Sequence, residues 1–474
     1  MEDDDINSKY AKVKEKLDIV SPSYCIAKWK EVTIHLDTGR THSCHHPSTH
    51  KIPVEEILKN PSALHNTEFK KQQRKLMLEG QRPEECDYCW RVEDSNKEGS
   101  ITTYSDRVVK SANSWARNCT PEILKNGWDD NTYPTSVEVN FGSTCNFKCS
   151  YCNPEISSQW MGEVKQHGGY QLTDRIYNDI VWLEKTDRIP IPNKDYNPYI
   201  DAFWQWWPDL VDNLKIFRIT GGEPLLNKNT FEVLDYLIAN PKPNMRLSIN
   251  SNLGVPKTII KQFIDKMKII QEKKAVKEFV LYTSCEAYGA KAEYIRHGLN
   301  YQEWLTNCES IIRDIPDSRL SLMCTYNILS ITSFKDMLKD IVVLKNKYTQ
   351  QPERPHPVSV DIPYLRHPDF MAAWIMPQEW LQHIEDTVSW MYSNLQQTYW
   401  PPLCGKGFFD YEIKKMERVY IVCKEAMNDP SKQDEIEQGR RNLIAFVKEH
   451  DKRRGTDFLA TFPELEDFYR KYSQ

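Results

Sequence analysis

Long apolar runs are missing from this sequence. Nowhere do about eighteen apolar residues follow one another, so no segment reads as a membrane span. The N-terminal stretch is acidic and interleaved with lysine, without the apolar core of an export signal. A cytoplasmic protein with no membrane partner is expected. Charge of one sign is equally scarce. A net charge of -5 over 474 residues, with Lys and Arg scattered among Asp and Glu, gives no basic stripe and implies no nucleic-acid partner. Internal repeats and low-complexity tracts are absent as well. The length exceeds what one hydrophobic core usually serves, so a large domain with one or two smaller ones is expected.

Cysteine is what the sequence does have. Thirteen thiols in a chain without an export signal are poor candidates for disulfides, and an odd count leaves one over. Seven fall into two spaced sets: Cys145, Cys149 and Cys152, then Cys25, Cys44, Cys86 and Cys89. The solitary Cys119, Cys285, Cys308, Cys324, Cys404 and Cys423 read as small buried hydrophobes.

Between Thr135 and Tyr364 short β-rich runs alternate with amphipathic stretches, the pattern of βα units around a parallel sheet. Six strands are expected: Thr135 to Phe141, Leu214 to Thr220, Arg246 to Asn250, Glu278 to Ser284, Arg319 to Thr325 and Pro357 to Ile362. Helical spacing of apolar residues marks Phe231 to Ile238, Ile259 to Ile270, Trp304 to Ile312 and Phe334 to Leu344, with Pro256 suited to a first turn. A long insertion after the first strand holds Trp204, Trp206 and Trp207, either as a substrate lid or as a helix packed on the barrel. The division that follows is an N-terminal tail over 1–20, a Cys- and His-rich domain over 21–94, a connecting segment over 95–134, the α/β domain over 135–370 and a helical extension over 371–474. In that extension Glu379 to Leu395, Glu412 to Glu425 and Asp434 to Glu449 read as helices.

Three of the cysteines share one loop directly after the first strand, in the run from Asn140 through Cys145, Cys149, Tyr151 and Cys152. Loops at that end of α/β strands are where such folds keep their chemistry. Three soft ligands hold three corners of a 4Fe-4S cube and leave one iron open, whereas structural zinc wants a fourth ligand that Asn146, Lys148 and Ser150 do not supply. This Cys-x3-Cys-x2-Cys spacing resembles the signature of the radical S-adenosylmethionine superfamily. The second strand runs into Gly221-Gly222-Glu223-Pro224, which resembles the family's GGEP motif. Paired glycines permit close backbone approach to a ligand, and the carboxylate can accept from the ammonium of the cofactor's methionine. The resemblance implies a partial (β/α)6 barrel. It also implies cofactor contacts at Asn250 and Asn252 after the third strand, at Ser284 and Glu286 after the fourth, and at Arg296, a bidentate partner for the methionine carboxylate. The run Asp361 to Tyr364 is a candidate for the adenine, though no side-chain motif marks it.

In the N-terminal set, Val32 to Leu36 alternates like a strand and Asp37 to Gly39 reads as a turn, so a hairpin would bring Cys25 and Cys44 together. With the Cys86 and Cys89 pair they supply four thiolates for one cluster. The spacing resembles the twitch domain, the shortened relative of the SPASM domain, although in the family that domain follows the barrel and here it precedes it. A four-cysteine zinc ribbon is the alternative, and His42, His45, His46 and His50 crowd Cys44 as substitute ligands, substrate contacts or plain structural histidines.

The resemblance implies two 4Fe-4S clusters, S-adenosylmethionine and an electron donor such as flavodoxin or ferredoxin. The substrate class, small molecule or peptide, stays open. The activity expected is removal of a substrate hydrogen by the 5'-deoxyadenosyl radical, ending in oxidation assisted by the second cluster. Two alternatives remain at this stage: a redox-neutral isomerase or carbon-skeleton enzyme with a structural second cluster, and a zinc-dependent binding or scaffold protein. A three-plus-four division of cysteines disfavours the last.

Overall fold

A computed structural model describes residues 2–96, 103–174, 176, 179–348, 357–395 and 407–473. Its strands are β1 (Glu31–His35), β2 (Arg40–His42), β3 (His50–Lys51), β4 (Ser136–Asn140), β5 (Lys148–Cys149), β6 (Ile216–Thr220), β7 (Lys242–Asn250), β8 (Val276–Thr283), β9 (Arg296–His297), β10 (Ser318–Met323) and β11 (Val358–Asp361). All six expected strands are present as β4, β6, β7, β8, β10 and β11, and the fold is α/β with parallel strands of partial-barrel type and helices at the C-terminal end. The largest departure is β7, which starts at Lys242 rather than Arg246. Its first three residues, a half-buried Lys242 and the exposed Pro243 and Asn244, carry none of the apolar alternation that betrays a strand. No described helix is long and apolar enough to cross a membrane.

The chain divides into two compact units. One comprises Met1–Gly142, Ile191–Gly221 and Asn240–Ser248; the other comprises Ser143–Pro190, Gly222–Ala239 and Ile249–Gln474. In the first, β4 pairs in parallel with β6, and both strands alternate: Val137, Val139, Phe217 and Ile219 are buried. The expected hairpin of β1 and β2 forms, with Thr33 opposite His42. Less expected is its neighbour: β1 also pairs in parallel with β4, from Glu31 beside Ser136 to His35 beside Asn140. The Cys-rich segment thereby extends the sheet of this unit. Ahead of it, residues Glu2–Val20, read from sequence as a tail, form a helix.

The tryptophan insertion resolves as a packing helix, Pro198–Val211. Pro198 occupies its first turn, and the Asn197 side chain caps it by accepting from the backbone N–H of Tyr199 at 2.9 Å and of Ile200 at 3.3 Å. Phe203, Trp206, Trp207 and Leu210 are buried at helical spacing, and the ring of Trp207 lies 4.7 Å from that of Phe217 on β6. Burying each such ring contributes about 1.5–3 kcal/mol, which favours the helix packed on the sheet over the lid.

In the second unit β8, β10 and β11 run parallel, with Leu320 opposite both Leu281 and Val358. The helix Lys257–Glu272 buries Ile260, Phe263, Ile264, Met267 and Ile270, one face at 3.6-residue period, and Pro256 precedes it as the cap rather than entering its first turn. The expected C-terminal helices appear as Leu381–Ser393, Asp410–Asn428 and Gln433–Arg454, the last stopped by Gly455 at φ +65°.

Candidate metal centres and cofactor pocket

The loop after β4 begins with a local turn, in which the Asn140 side chain accepts from the Gly142 N–H at 2.8 Å. Gly221 and Gly222 also lie tight against the chain itself. A Cβ on Gly221, at φ +124°, would lie 2.4 Å from Asn140 Oδ1, and one on Gly222 would lie 2.4 Å from the carbonyl oxygen of Thr144. The bareness of Gly222 admits the Ser143 and Thr144 carbonyls of the cysteine loop, and that of Gly221 admits the Asn140 side chain and the Gly142 carbonyl. Within that loop β5 pairs with β9 so that Cys149 faces Arg296, while Trp160 Nε1 donates to the Cys149 carbonyl at 2.8 Å and Ser158 Oγ accepts from the Cys145 N–H at 3.1 Å.

Burial pushes the Cys145 thiol up to about 12 with help from Cys149, and raises Cys152 further, reinforced by Cys149 and Cys145. Cys149 rises for the same first reason, opposed by Arg296, whose Nη1 donates to its sulfur at 3.7 Å. Buried thiols that repel one another's anions are stabilised as thiolates only by nearby positive charge, which an iron cluster supplies. In a zinc tetrahedron, Zn–S bonds of about 2.3 Å place sulfurs roughly 3.8 Å apart. Among the described residues no three of these seven cysteines close to within 4.8 Å of one another.

Of the expected cofactor residues, Gly221 closes a segment of the first unit, and the others, from Gly222 to Arg296, lie in the second. Glu223 is buried, and its carboxylate accepts from the N–H of Leu225 at 3.0 Å, the N–H of Asn252 at 2.6 Å and Ser251 Oγ at 2.8 Å. Burial nonetheless lifts it to about 7. Pro224 opens the short turn Pro224–Leu226 that Glu223 caps. Asn250 ends β7, and Asn252 donates to Asn146 Oδ1 at 2.9 Å, which ties the end of that strand to the cysteine loop. Ser284 is half-buried just past β8. Arg296 is not a free fork: its Nε and Nη2 grip Glu286 at 3.1 Å and 2.7 Å, and Nη2 also meets the Tyr151 hydroxyl. That hydroxyl donates to Glu286 at 3.1 Å, so the aromatic residue before the last cysteine has a polar task. Asp361 at the end of β11 accepts from Lys415 Nζ at 2.6 Å.

Sequence reasoning missed a clamp on the back of the loop. Arg454, its side chain fully buried, donates from Nη1 to the Lys148 carbonyl at 2.6 Å and from Nε and Nη2 to the two oxygens of Glu163 at 3.0 Å each. Glu163 also accepts from Lys148 Nζ at 2.8 Å and the Tyr170 hydroxyl at 2.6 Å. Burial alone would raise this carboxyl, but Arg454, Lys148 and Tyr170 together hold it down at about 2. Only a basic run, Lys452 to Arg454, marks the position in sequence, and at a helix end such a run reads as a dipole partner.

In the first unit Cys25, Cys44, Cys86 and Cys89 line a single cavity together with Lys28, Arg107 and Lys110. Cys86 and Cys89 stand one turn apart at the start of the helix Asp87–Asp94. Cys44 follows β2 at φ +62°, a left-handed conformation that few L-residues adopt and that aims its side chain. Burial raises the Cys25 thiol, and Cys86, Cys89 and Cys44 add to it; Cys89 is pushed up to about 12. Each cation at the cavity has an acidic partner outside the cysteine set, Lys28 with Glu85, Lys110 with Glu31 at 2.7 Å and Arg107 with Glu93 at 2.8 Å. Of the nearby histidines only His46 lines the cavity, bonded to Asp106 at 2.7 Å, and Cys44, His46 and Asp106 bring ligand atoms within 4.8 Å. His42 and His50 are turned elsewhere, to His35 at 3.3 Å and Thr67 at 2.9 Å, and burial lowers them to about 3 and about 2. Cys119, Cys285, Cys308, Cys324 and Cys423 are buried singly, while Cys404 lies outside the described residues.

Residues 139–341 match the family described as the Radical SAM superfamily. No curated protein matches the chain. Among solved structures, Streptococcus suis SuiB is similar at 12% identity over 78% of this chain and 69% of that one, with a TM-score of 0.33. SuiB bound to precursor peptide SuiA aligns at 12% identity over 77% and 70%, TM-score 0.31, and SuiB bound to S-adenosylmethionine at 11% over 77% and 69%, TM-score 0.29.

Proposed function

The chain carries a radical SAM domain, and from that premise we propose that it is an oxidising enzyme with two 4Fe-4S clusters, one on Cys145, Cys149 and Cys152 and an auxiliary one on Cys25, Cys44, Cys86 and Cys89. The observation that carries the second half is the single cavity lined by all four N-terminal cysteines, in the other unit from the three-cysteine loop. The bound cofactor supplies reductive cleavage of its sulfonium and removal of one substrate hydrogen atom.

This chain's residues bind and orient. Glu223 would receive the methionine ammonium on a carboxylate already fixed by three donors. Arg296 would offer Nη1 to the methionine carboxylate, because Nε and Nη2 are committed to Glu286 and, among the described residues, Nη1 meets only the Cys149 sulfur. Gly221, Gly222 and Pro224 keep that carboxylate beside the cysteine loop, and Asn250, Asn252, Ser284 and Glu286 line the strand ends where ribose and carboxylate oxygens would lie. An electron donor such as flavodoxin or ferredoxin, a reducing cytoplasm and a small-molecule or peptide substrate complete the reading.

The test replaces Cys86 and Cys89 by Ala and leaves the barrel untouched. Reconstituted wild type should hold about eight irons per chain and the variant about four. The variant should still release 5'-deoxyadenosine, but form no product two hydrogens poorer than the substrate. Full product yield from a folded variant lacking those irons defeats the electron-accepting role, and about four irons in wild type defeats the second cluster.

A further inference from the structure

Behind the N-terminal cysteines the same unit has a second hollow, a groove of about 670 Å³ between the helix Glu2–Val20 and the segment Ser111–Pro121. Its floor is apolar, with Val13, Leu17, Ile26 and Ala116. Lys9, Lys16 and Arg117 stand around it, exposed, and among the described residues no acidic side chain lines it. Among the described residues none of these three side chains has a hydrogen-bond or ion-pair partner, in contrast to the paired cations of the cysteine cavity. Three like charges left unopposed around a concave surface raise the local concentration of an anionic partner and steer its approach.

The wall between groove and cavity is thin. Cys25 lines the cavity and Ile26 the groove; Lys110 lines the cavity and Ser111 the groove. At two separate places, therefore, consecutive residues face opposite sides of one backbone layer. Ser111 is 6% exposed, and its hydroxyl has no hydrogen-bond partner, so the groove also presents a buried polar atom in want of one.

We propose that this groove is the docking surface of an acidic one-electron carrier protein, which exchanges electrons with the centre held by Cys25 and its three companions through the Cys25–Ile26 layer. The inference rests on reading that centre as a cluster. Charge complementarity selects the sign of the partner, and the one-residue wall selects its trade. A transient redox encounter needs only a small, charged patch of under about 1,200 Å². The exchange moves one electron and no atoms: what the centre loses, the oxidised carrier gains.

The experiment titrates the reconstituted enzyme with oxidised flavodoxin at low and high salt and reads binding by calorimetry. Wild type should bind with an affinity that falls steeply as salt rises. The combined change Lys9→Glu, Lys16→Glu and Arg117→Glu should weaken binding at least tenfold and flatten the salt dependence. The milder combined change to Ala at the same positions should lie between the two. Unchanged affinity in the charge-reversed protein, with its circular dichroism intact, overturns the proposal. A poly-glutamate peptide that binds as tightly as flavodoxin, and is lost in the same variant, overturns it in favour of a peptide groove. The Cys86→Ala, Cys89→Ala protein separates this inference from its premise. Binding retained there, with electron exchange lost, supports both; a wild type that binds flavodoxin at the groove but holds only one cluster removes the premise and leaves the surface.

Discussion

Replacing Arg454 by Met tests whether the C-terminal helix holds the cysteine loop. The change keeps side-chain volume and removes the guanidinium, so Glu163, 3% exposed, loses two of its four charged or polar contacts and the Lys148 carbonyl loses its donor. Removing one partner of a buried ion pair costs about 3–5 kcal/mol. Lys148 and Tyr170 remain on the carboxylate, so the lower end applies: about 3 kcal/mol, or on the order of a hundredfold in the unfolding equilibrium. Guanidinium denaturation followed by circular dichroism should show an earlier midpoint with an unchanged slope, and iron retained on a Cys86→Ala, Cys89→Ala background should fall. Acid gives a second, signed readout. Glu163 sits at about 2 in the folded protein, below the roughly 4.3 of an unfolded glutamate. Its stabilisation is therefore complete above that unfolded value and disappears as pH drops toward 2. The gap between wild type and variant should be widest above pH 5 and close on acidification. Equal midpoints at neutral pH, or a gap that widens in acid, would refute the clamp.

Two further substitutions probe the pocket. Gly222→Ala puts a methyl 2.4 Å from the Thr144 carbonyl and 2.6 Å from that of Ser143; both are backbone, so the cysteine loop must shift, at about 1–3 kcal/mol of stability, and iron on the three-cysteine site should drop while the N-terminal irons stay. Glu223→Ala removes a charge-assisted contact of about 1.5–3 kcal/mol, so S-adenosylmethionine should bind more than tenfold more weakly by equilibrium dialysis, and unaltered affinity would show that the GGEP assignment is wrong.

Much of this was legible in the sequence where one period or one motif dominates. The six barrel strands alternate or run apolar between helices of clear amphipathicity, and the two cysteine sets stand out by spacing against their solitary neighbours. What stayed hidden is long-range pairing. Nothing local in Glu31–His35 says that it will lie parallel to Ser136–Asn140, because a half-buried strand fits any compatible edge. Arg296 illustrates the same limit at the site. Its place after the fourth strand follows from the resemblance, but its commitment to Glu286 and Tyr151 depends on three segments meeting. Trp206 and Trp207 were ambiguous for another reason: an aromatic cluster in an insertion has the same composition whether it covers a substrate or fills a core.

The Arg454 contact joins residues 306 positions apart, and on a ribosome that separation becomes time. At about 5–20 residues per second, roughly 15–60 s pass between the emergence of Lys148 and of the arginine that fastens it. For that interval Cys145, Cys149 and Cys152 belong to a loop whose back is still open. The nascent loop is thus more accessible before the helix Gln433–Arg454 is made than after it, because the contact that fastens its back comes last.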